Sequence, residues 1–285
     1  MKAYAPLAML RGELRMQARD PGSAEDAARL RALERATLDI DQRTRRRFEA
    51  RVAQTAYYQG DSHEPTVLYI DDFASITSVS VGRLSDGTYQ YSLVDGTDYW
   101  AIRIQDDSAK PIVRLELIGT SAQVASWPTG QRGVKVVGTA GWSYETEAIV
   151  ADDGTAVTGT LTSASDISLA LSVSSHGVTP GDTLVLASEQ VYVQAVIDAL
   201  TVRVERGVNG TTAAAQSAVA VSRRRYPRDI EAACVMRAAD LYRGGQTAWA
   251  DVIAADDVSG FLSRTSYAQF VGLLAPYVRH SVVIG

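Results

Sequence analysis

The sequence predicts an α+β fold: a helical bundle formed by the N- and C-terminal segments, with antiparallel β-hairpins and an inserted small β-barrel or sandwich domain. Three observations predict it. Apolar residues recur at steps of three and four from Leu30 to Phe48, and Ile230, Ala233, Cys234 and Leu241 share a face near the other end. That is the period of a helix with one buried side. From Thr66 the period changes to two, as in half-buried strands. Residues 146–222 then break into six short apolar runs, a pattern of small antiparallel barrels and sandwiches.

Each element has its own justification. Pro6 suits the first turn of a helix, with Leu7, Leu10 and Leu14 at helical spacing. Asp20-Pro21-Gly22 breaks that helix. Ser23 reads as an N-cap, and Glu25 and Asp26 lie in the first turn, where the helix dipole favours negative charge. Leu30, Leu33, Thr37, Ile40, Thr44 and Phe48 form one stripe. No Gly or Pro interrupts residues 23–59, so the pattern predicts a helix of about seven turns.

Beyond Thr66, Val67, Tyr69, Ile76, Val79 and Val81 alternate or nearly alternate with polar residues. Asp86-Gly87 and Asp95-Gly96 are hairpin signals. Residues 99–104, 113–117 and 134–137 read as strands, with Trp127-Pro128-Thr129-Gly130 as the turn between the last two. The six runs that follow are 157–161, 167–173, 183–187, 190–196, 200–206 and 218–223, divided by Thr179-Pro180-Gly181-Asp182 and similar turns. At Tyr226-Pro227-Arg228-Asp229 the chain turns helical, and Gly244-Gly245 predicts the helix end. Short helices are predicted near 248–255 and 266–277. The expected divisions are thus 1–57 (N-terminal part of the helical core), 58–145 (β-hairpin region), 146–226 (inserted β-domain) and 227–285 (C-terminal part of the helical core).

With 285 residues, 46% apolar and 21% charged, the chain has a globular composition. No run approaches the ~20 apolar residues that cross a bilayer, and the N-terminal apolar stretch is too short and too soon charged for a signal peptide. A soluble cytoplasmic protein is the default expectation. Cys234 stands alone, which excludes an internal disulfide and a multi-cysteine metal site. The net charge of −5 is uneven: +4 over 1–53, −5 over 54–145, −6 over 146–222 and +2 over 223–285. A free protein gripping nucleic acid by phosphate charge would carry a strong basic excess.

No phosphate-binding loop, dinucleotide fingerprint or nucleophile elbow occurs. His63, His176 and His280 are far apart, each in a predicted loop or tail. The pairs Asp71-Asp72, Asp106-Asp107, Asp152-Asp153 and Asp256-Asp257 place adjacent carboxylates on opposite sides of any strand or helix. Solvated turn positions are the simpler reading. Cys234, on an apolar helix side, reads as a buried, inert thiol. The sequence therefore predicts no enzyme, no catalytic residue, no metal and no cofactor. The densest charge is Arg43, Arg45, Arg46, Arg47 and Arg51. It is either a solvated helix end or a surface for an acidic partner, a neighbouring subunit or DNA phosphate. Arg223-Arg224-Arg225 could share that surface.

Several segments, taken in order, resemble the head–tail connector (adaptor, head-completion) proteins of long-tailed bacteriophages. They are Arg45-Arg46-Arg47-Phe48, the strand Val67–Asp72, Ala74–Val81, Asp98-Tyr99-Trp100, Trp127–Gly130, Val134–Trp142, and the helix opening Pro227-Arg228-Asp229-Ile230-Glu231. The likeness covers about 45–145 and 226–245. The block Gly181–Val221 is similar to a small β-module that recurs in phage structural proteins, an insertion most connectors lack.

The resemblance implies a structural virion protein at the neck. It would form a homo-oligomeric ring, typically of twelve copies, beneath the portal protein, extending the channel for double-stranded DNA and presenting a docking face to a stopper or tail protein. DNA would pass without sequence-specific binding. An acidic middle lining the channel would let it slide, and the basic ends would pair with neighbours or the portal. The tail Arg279, His280, Val282, Val283 and Ile284, apolar over its last three named residues, would insert into the portal as an extended segment. Two other readings stand beside this one: a stopper or tail-completion protein, or a phage binding module whose inserted β-domain recognises a capsid or host ligand. A virion-associated hydrolase lacks a nameable nucleophile and base.

Overall fold

A computed structural model describes residues 2–14, 24–119, 123–142, 145–247 and 266–279. In chain order the elements are α1 (Leu7–Glu13), α2 (Ala24–Thr44), β1 (Arg51–Tyr58), β2 (Val67–Arg83), β3 (Tyr89–Leu93), β4 (Tyr99–Arg103), β5 (Ile112–Leu117), β6 (Val134–Ala140), β7 (Thr146–Ala148) and β8 (Thr158–Leu161). Then come β9 (Ser168–Leu171), β10 (Thr183–Leu186), β11 (Glu189–Val196), β12 (Thr201–Glu205), β13 (Gln216–Arg224), α3 (Arg228–Thr247) and a fourth helix, α4, over 266–274. The chain forms two compact units. One joins residues 1–46 with 145–285, and the other is residues 47–144.

The 47–144 unit is one antiparallel sheet in the order β1-β6-β2-β5-β4, with β3 on β2. Its centre is β2. The first part of that strand pairs with β5, and Phe73 onward pairs with β6. Register shifts at Phe73/Ser75 and Ile76/Ser78 swap which side chains face inward. This is why one 17-residue strand reads as two alternating runs. Leu68, Ile70, Phe73, Val79, Val81, Leu115, Trp127, Val134 and Val136 make the core. The buried Trp127 donates its indole N–H to the Thr66 carbonyl at 3.0 Å. Gly141, at φ +125°, lets the backbone pass so close to Glu49 that a Cβ would stand 2.1 Å from its carbonyl oxygen.

In the other unit, β10-β11-β12-β9-β8-β13 closes into a six-stranded barrel because β13 also pairs with β10, and β7 extends the sheet on β13. Closure leaves those six strands without a free sheet edge. The interior holds Val157, Leu161, Leu169, Leu184, Leu186, Val191, Val193, Val202, Val204 and Val221. A buried ion pair fixes the loops at one place. Arg206 makes two bonds to the Glu189 carboxylate, 2.7 and 2.8 Å, and donates to the carbonyls of Ser163, Asp166 and Ala214.

In the same unit α2 packs on α3. Buried Leu33, Ala36, Thr37 and Ile40 lie on α2, and Ile230, Ala233, Cys234 and Ala238 on α3. Cys234 Sγ lies 3.7 Å from Thr37 Oγ1, and Arg237 donates to Asp39 at 2.7 Å. Burial raises the Cys234 thiol to about 11, consistent with an inert group. Arg29 bonds Asp26, Glu25 and Tyr242. Burial opposes its charge, but the bonds to Asp26 and Glu25 more than compensate and raise its pKa. The helices are also held to the barrel. Leu7 N–H donates to the Pro180 carbonyl at 2.8 Å, and Tyr192 Oη donates to Glu34 at 3.1 Å.

Several expectations change. The chain combines helices with antiparallel sheets and a closed barrel, strand outweighs helix, and the helices form a layer tied to the barrel as well as to each other. The long helix stops at Thr44 and does not reach Phe48. Arg45 turns left-handed at φ +54°, and the Thr44 side chain bonds the Ile40 carbonyl and the Arg46 N–H. Phe48 instead pairs with the Trp142 ring at 5.6 Å. Residues 51–57, assigned to the helical core by the missing Gly and Pro, are strand β1. Its side chains alternate between half-buried and exposed from Val52 onward, but the residue types of Arg51–Tyr58 do not alternate between polar and apolar, so the strand leaves no period-two signal in the sequence. Asp95-Gly96 turns the chain without making a hairpin, since β3 pairs with β2 and β4 with β5. The last long helix runs through Gly244-Gly245 to Thr247. The expected helix at 248–255 lies outside the described residues.

Candidate assembly surfaces

The arginine cluster divides between the two units. In the first, the end of α2 grips the C-terminal segment. Arg43 donates to Tyr267 Oη at 3.1 Å and its guanidinium carbon stands 5.7 Å from that ring's centre. Arg46 Nε donates to the Tyr277 carbonyl at 2.8 Å. The Arg279 N–H donates to the Thr44 carbonyl at 2.9 Å, satisfying one of the acceptors that a helix C-terminus leaves open. Arg45 is exposed. In the second unit, the half-exposed Arg47 stands 4.0 Å from Glu49, and Arg51 Nε is buried with no hydrogen-bond partner among the described residues. Arg43 and Arg46 thus hold their own chain.

The segment they hold also rests on α3. Ser266 Oγ donates to Asp240 at 2.7 Å, Tyr277 Oη donates to Asp229 at 3.4 Å, and Phe270 and Leu274 are buried. An open cleft of about 420 Å³ beside it is lined by Asp229, Met236, Gln269, Gly272, Leu273 and Pro276. Arg279 is the last described residue of the candidate tail. His280, Val282, Val283 and Ile284 lie outside the described residues.

Two of the second arginine trio are engaged by carboxylates of their own unit. Arg223 pairs with the buried Asp182 at 2.7 Å, and Arg225 with Glu231 at 3.0 Å. Burial raises the Asp182 pKa, with Arg223 opposing. Burial likewise raises that of Glu231 against Arg225. For Glu189, burial is outweighed by its bonds from Arg206, and the pKa falls below the ordinary value. Sequence spacing gave no sign of these pairs: Arg223 meets Asp182 where β13 closes on β10, Arg206 meets Glu189 beside the β11–β12 pairing, and Arg225 meets Glu231 at the start of α3.

His176 is buried, with Nδ1 accepting from the Val178 N–H at 2.9 Å, and burial lowers its pKa. Asp71 and Asp72 fall on opposite faces of β2, exposed and buried. Tyr192, the lone aromatic of residues 146–222, is 1% exposed, and its hydroxyl meets the Ala3 N–H and Glu34, so no exposed ring is left on those strands for sugar stacking. Among the described residues, no group of three or more His, Cys, Asp or Glu could hold a metal, and no helix is long and apolar enough to cross a membrane.

No family model matches the sequence, and no curated protein matches it. Two solved structures overlap it along nearly its whole length. One is described as the neck of an empty gene transfer agent (GTA) particle computed with C6 symmetry, with 15% identity, TM-score 0.40, and coverage of 99% of this chain and 93% of that one. The other is described as the virion of a native gene transfer agent particle, with 19% identity, TM-score 0.42 and the same coverage. At these values the overlap assigns neither a fold nor a role.

Proposed function

We propose that this chain is a structural virion protein of the neck of a tailed-phage-like particle, and within it the head-to-tail adaptor. Copies form a ring beneath the portal protein, extend the DNA channel and give the stopper or tail protein its docking face. The observation that carries this reading is the packing of α3 on α2. The helix that opens with Pro227–Glu231, one end of the family-like series, lies against the helix whose end bears the arginines, the other end of that series. The C-terminal segment is anchored at that helix end through Thr44, Arg43 and Arg46, a fixed base from which residues 279–284 reach the portal.

Native mass measurement of the chain with and without the portal protein of the same particle tests the reading. The expected result is a ring on the portal, lost on deletion of residues 279–285 while the chain stays folded. A full-length chain that ignores the portal would overturn it. The predominance of strands favours a second reading, a stopper or tail-completion protein. Such a protein would bind an adaptor ring rather than the portal, so the same mixture separates the two.

A further inference from the structure

The 47–144 unit carries a patch at odds with its acidic composition. Residues 54–145 hold only six Lys and Arg, and three of them, Arg83, Arg132 and Lys135, gather there with no carboxylate ion pair among the described residues. The Arg132 guanidinium lies 4.9 Å over the Tyr57 ring, and Lys135 Nζ stands 6.0 Å from the centre of the Tyr89 ring. Tyr89 lies within electrostatic reach of Arg83, Arg132 and Tyr57. The nearby carboxylate in the β2–β3 turn, Asp86, is committed to the Thr88 N–H and hydroxyl.

The patch is built by the sheet. Strand pairing sets Tyr57 opposite Lys135, Lys135 opposite Ser80, and Ser80 opposite Ser92, and directly paired residues share a face. That row crosses four strands, roughly 14 Å at ~4.8 Å per strand. An open cleft of about 460 Å³ adjoins it, lined by Tyr57, Tyr58, Gln59, Gln131 and Arg132. Arg132 holds a left-handed backbone at φ +56° between Gly130 and Gly133, and its carbonyl accepts from Tyr89 Oη at 2.9 Å. Glycine or asparagine is the unstrained choice there. A strained arginine pinned over a tyrosine is the kind of feature that function retains.

We propose that this patch binds the phosphodiester backbone of nucleic acid without reading sequence. Arginine and lysine supply charge to phosphate oxygens, and serine, tyrosine and glutamine groups supply the neutral donors that make up much of backbone recognition. The row is longer than one carboxylate and suits a continuous polyanion. The inference rests on the chemistry of the patch and does not depend on the adaptor reading.

Fluorescence anisotropy of labelled 30-base-pair DNA, its single strand and polyglutamate, each titrated with the full chain, tests it. Relative to the parent, the combined Arg83→Gln, Arg132→Gln, Lys135→Gln variant should bind DNA at least tenfold more weakly. Its slope of log affinity against log salt should be shallower by about 2.7 for duplex. A charge-matched control, Arg31→Gln, Arg35→Gln, Lys110→Gln, should bind like the parent. Portal binding should be the same in all three, which separates this inference from the adaptor reading. Equal DNA binding by parent and patch variant, an equal loss in the control, or polyglutamate bound as tightly as DNA would overturn the proposal.

Discussion

Arg46 Nε donates to the carbonyl of Tyr277 across 2.8 Å, joining residues 231 positions apart at the end of α2. With the Arg43–Tyr267 contact it makes two of the five clustered arginines a clamp on the C-terminal segment. Those two are engaged within their own chain, while Arg45 and Arg47 stay exposed.

Removing it should loosen that segment alone. An Arg43→Ala, Arg46→Ala variant loses two part-exposed contacts, together about 1–2 kcal/mol. Chymotryptic cleavage within residues 266–279 should quicken about 5- to 30-fold, with the melting of the barrel unchanged. Unchanged cleavage would show that Phe270 and Leu274 suffice to hold the segment.

The barrel depends on a different pair. Glu189 is fully buried at its side chain and Arg206 is 7% exposed. Glu189→Gln leaves the guanidinium without its counter-charge and weakens the acceptor for the Gly207 and Ala214 N–H groups. Breaking one side of such a pair costs about 3–5 kcal/mol. Urea unfolding followed by circular dichroism should register that loss, and a change below about 1 kcal/mol would refute it.

His176 makes stability pH-dependent near neutrality. Burial holds its folded pKa below the ordinary 6.5, so the unfolded chain binds the proton first as pH falls. Its contribution is complete above the unfolded value and is lost as pH drops through 6.5 towards the folded value. The urea midpoint of the parent should fall between about pH 7.5 and about pH 5.5, and His176→Asn should flatten that slope. The same slope in both proteins would place the titration elsewhere.

Gly141→Ala should damage the sheet unit. Its φ of +125° strains any side chain, and the new Cβ would stand 2.1 Å from backbone at Glu49, which has no flexible end to move. A loss of about 2–4 kcal/mol is expected, read as an earlier change in tryptophan fluorescence, since Trp142 adjoins the site and packs at a tilt against Phe48.

Much of the strand plan was legible in the sequence. All six runs named in 157–223 are strands, within a few residues at their ends, because alternation and turn residues are local signals. The Asp86-Gly87 hairpin and the helix from Arg228 were equally readable. Less was legible where local rules compete. The helix end at Thr44 depends on Arg45 adopting a left-handed backbone, which its residue type does not advertise. Gly244-Gly245 stays helical where composition predicts a stop.

Of the candidate site residues, the sequence alone identified where cations cluster but not what they touch. Arg43 and Arg46 reach Tyr267 and Tyr277, Arg223 reaches Asp182, and the patch of Arg83, Arg132 and Lys135 brings the end of β2 beside β6 and the turn before it. Period and turn chemistry act within a few residues, so they determined which segments are strands and which are helices. Barrel closure of β13 on β10, the partners of each buried charge and the gathering of distant cations on one sheet face were decided by tertiary structure. Those contacts join residues tens to hundreds of positions apart, and desolvation of the whole assembly selects among them.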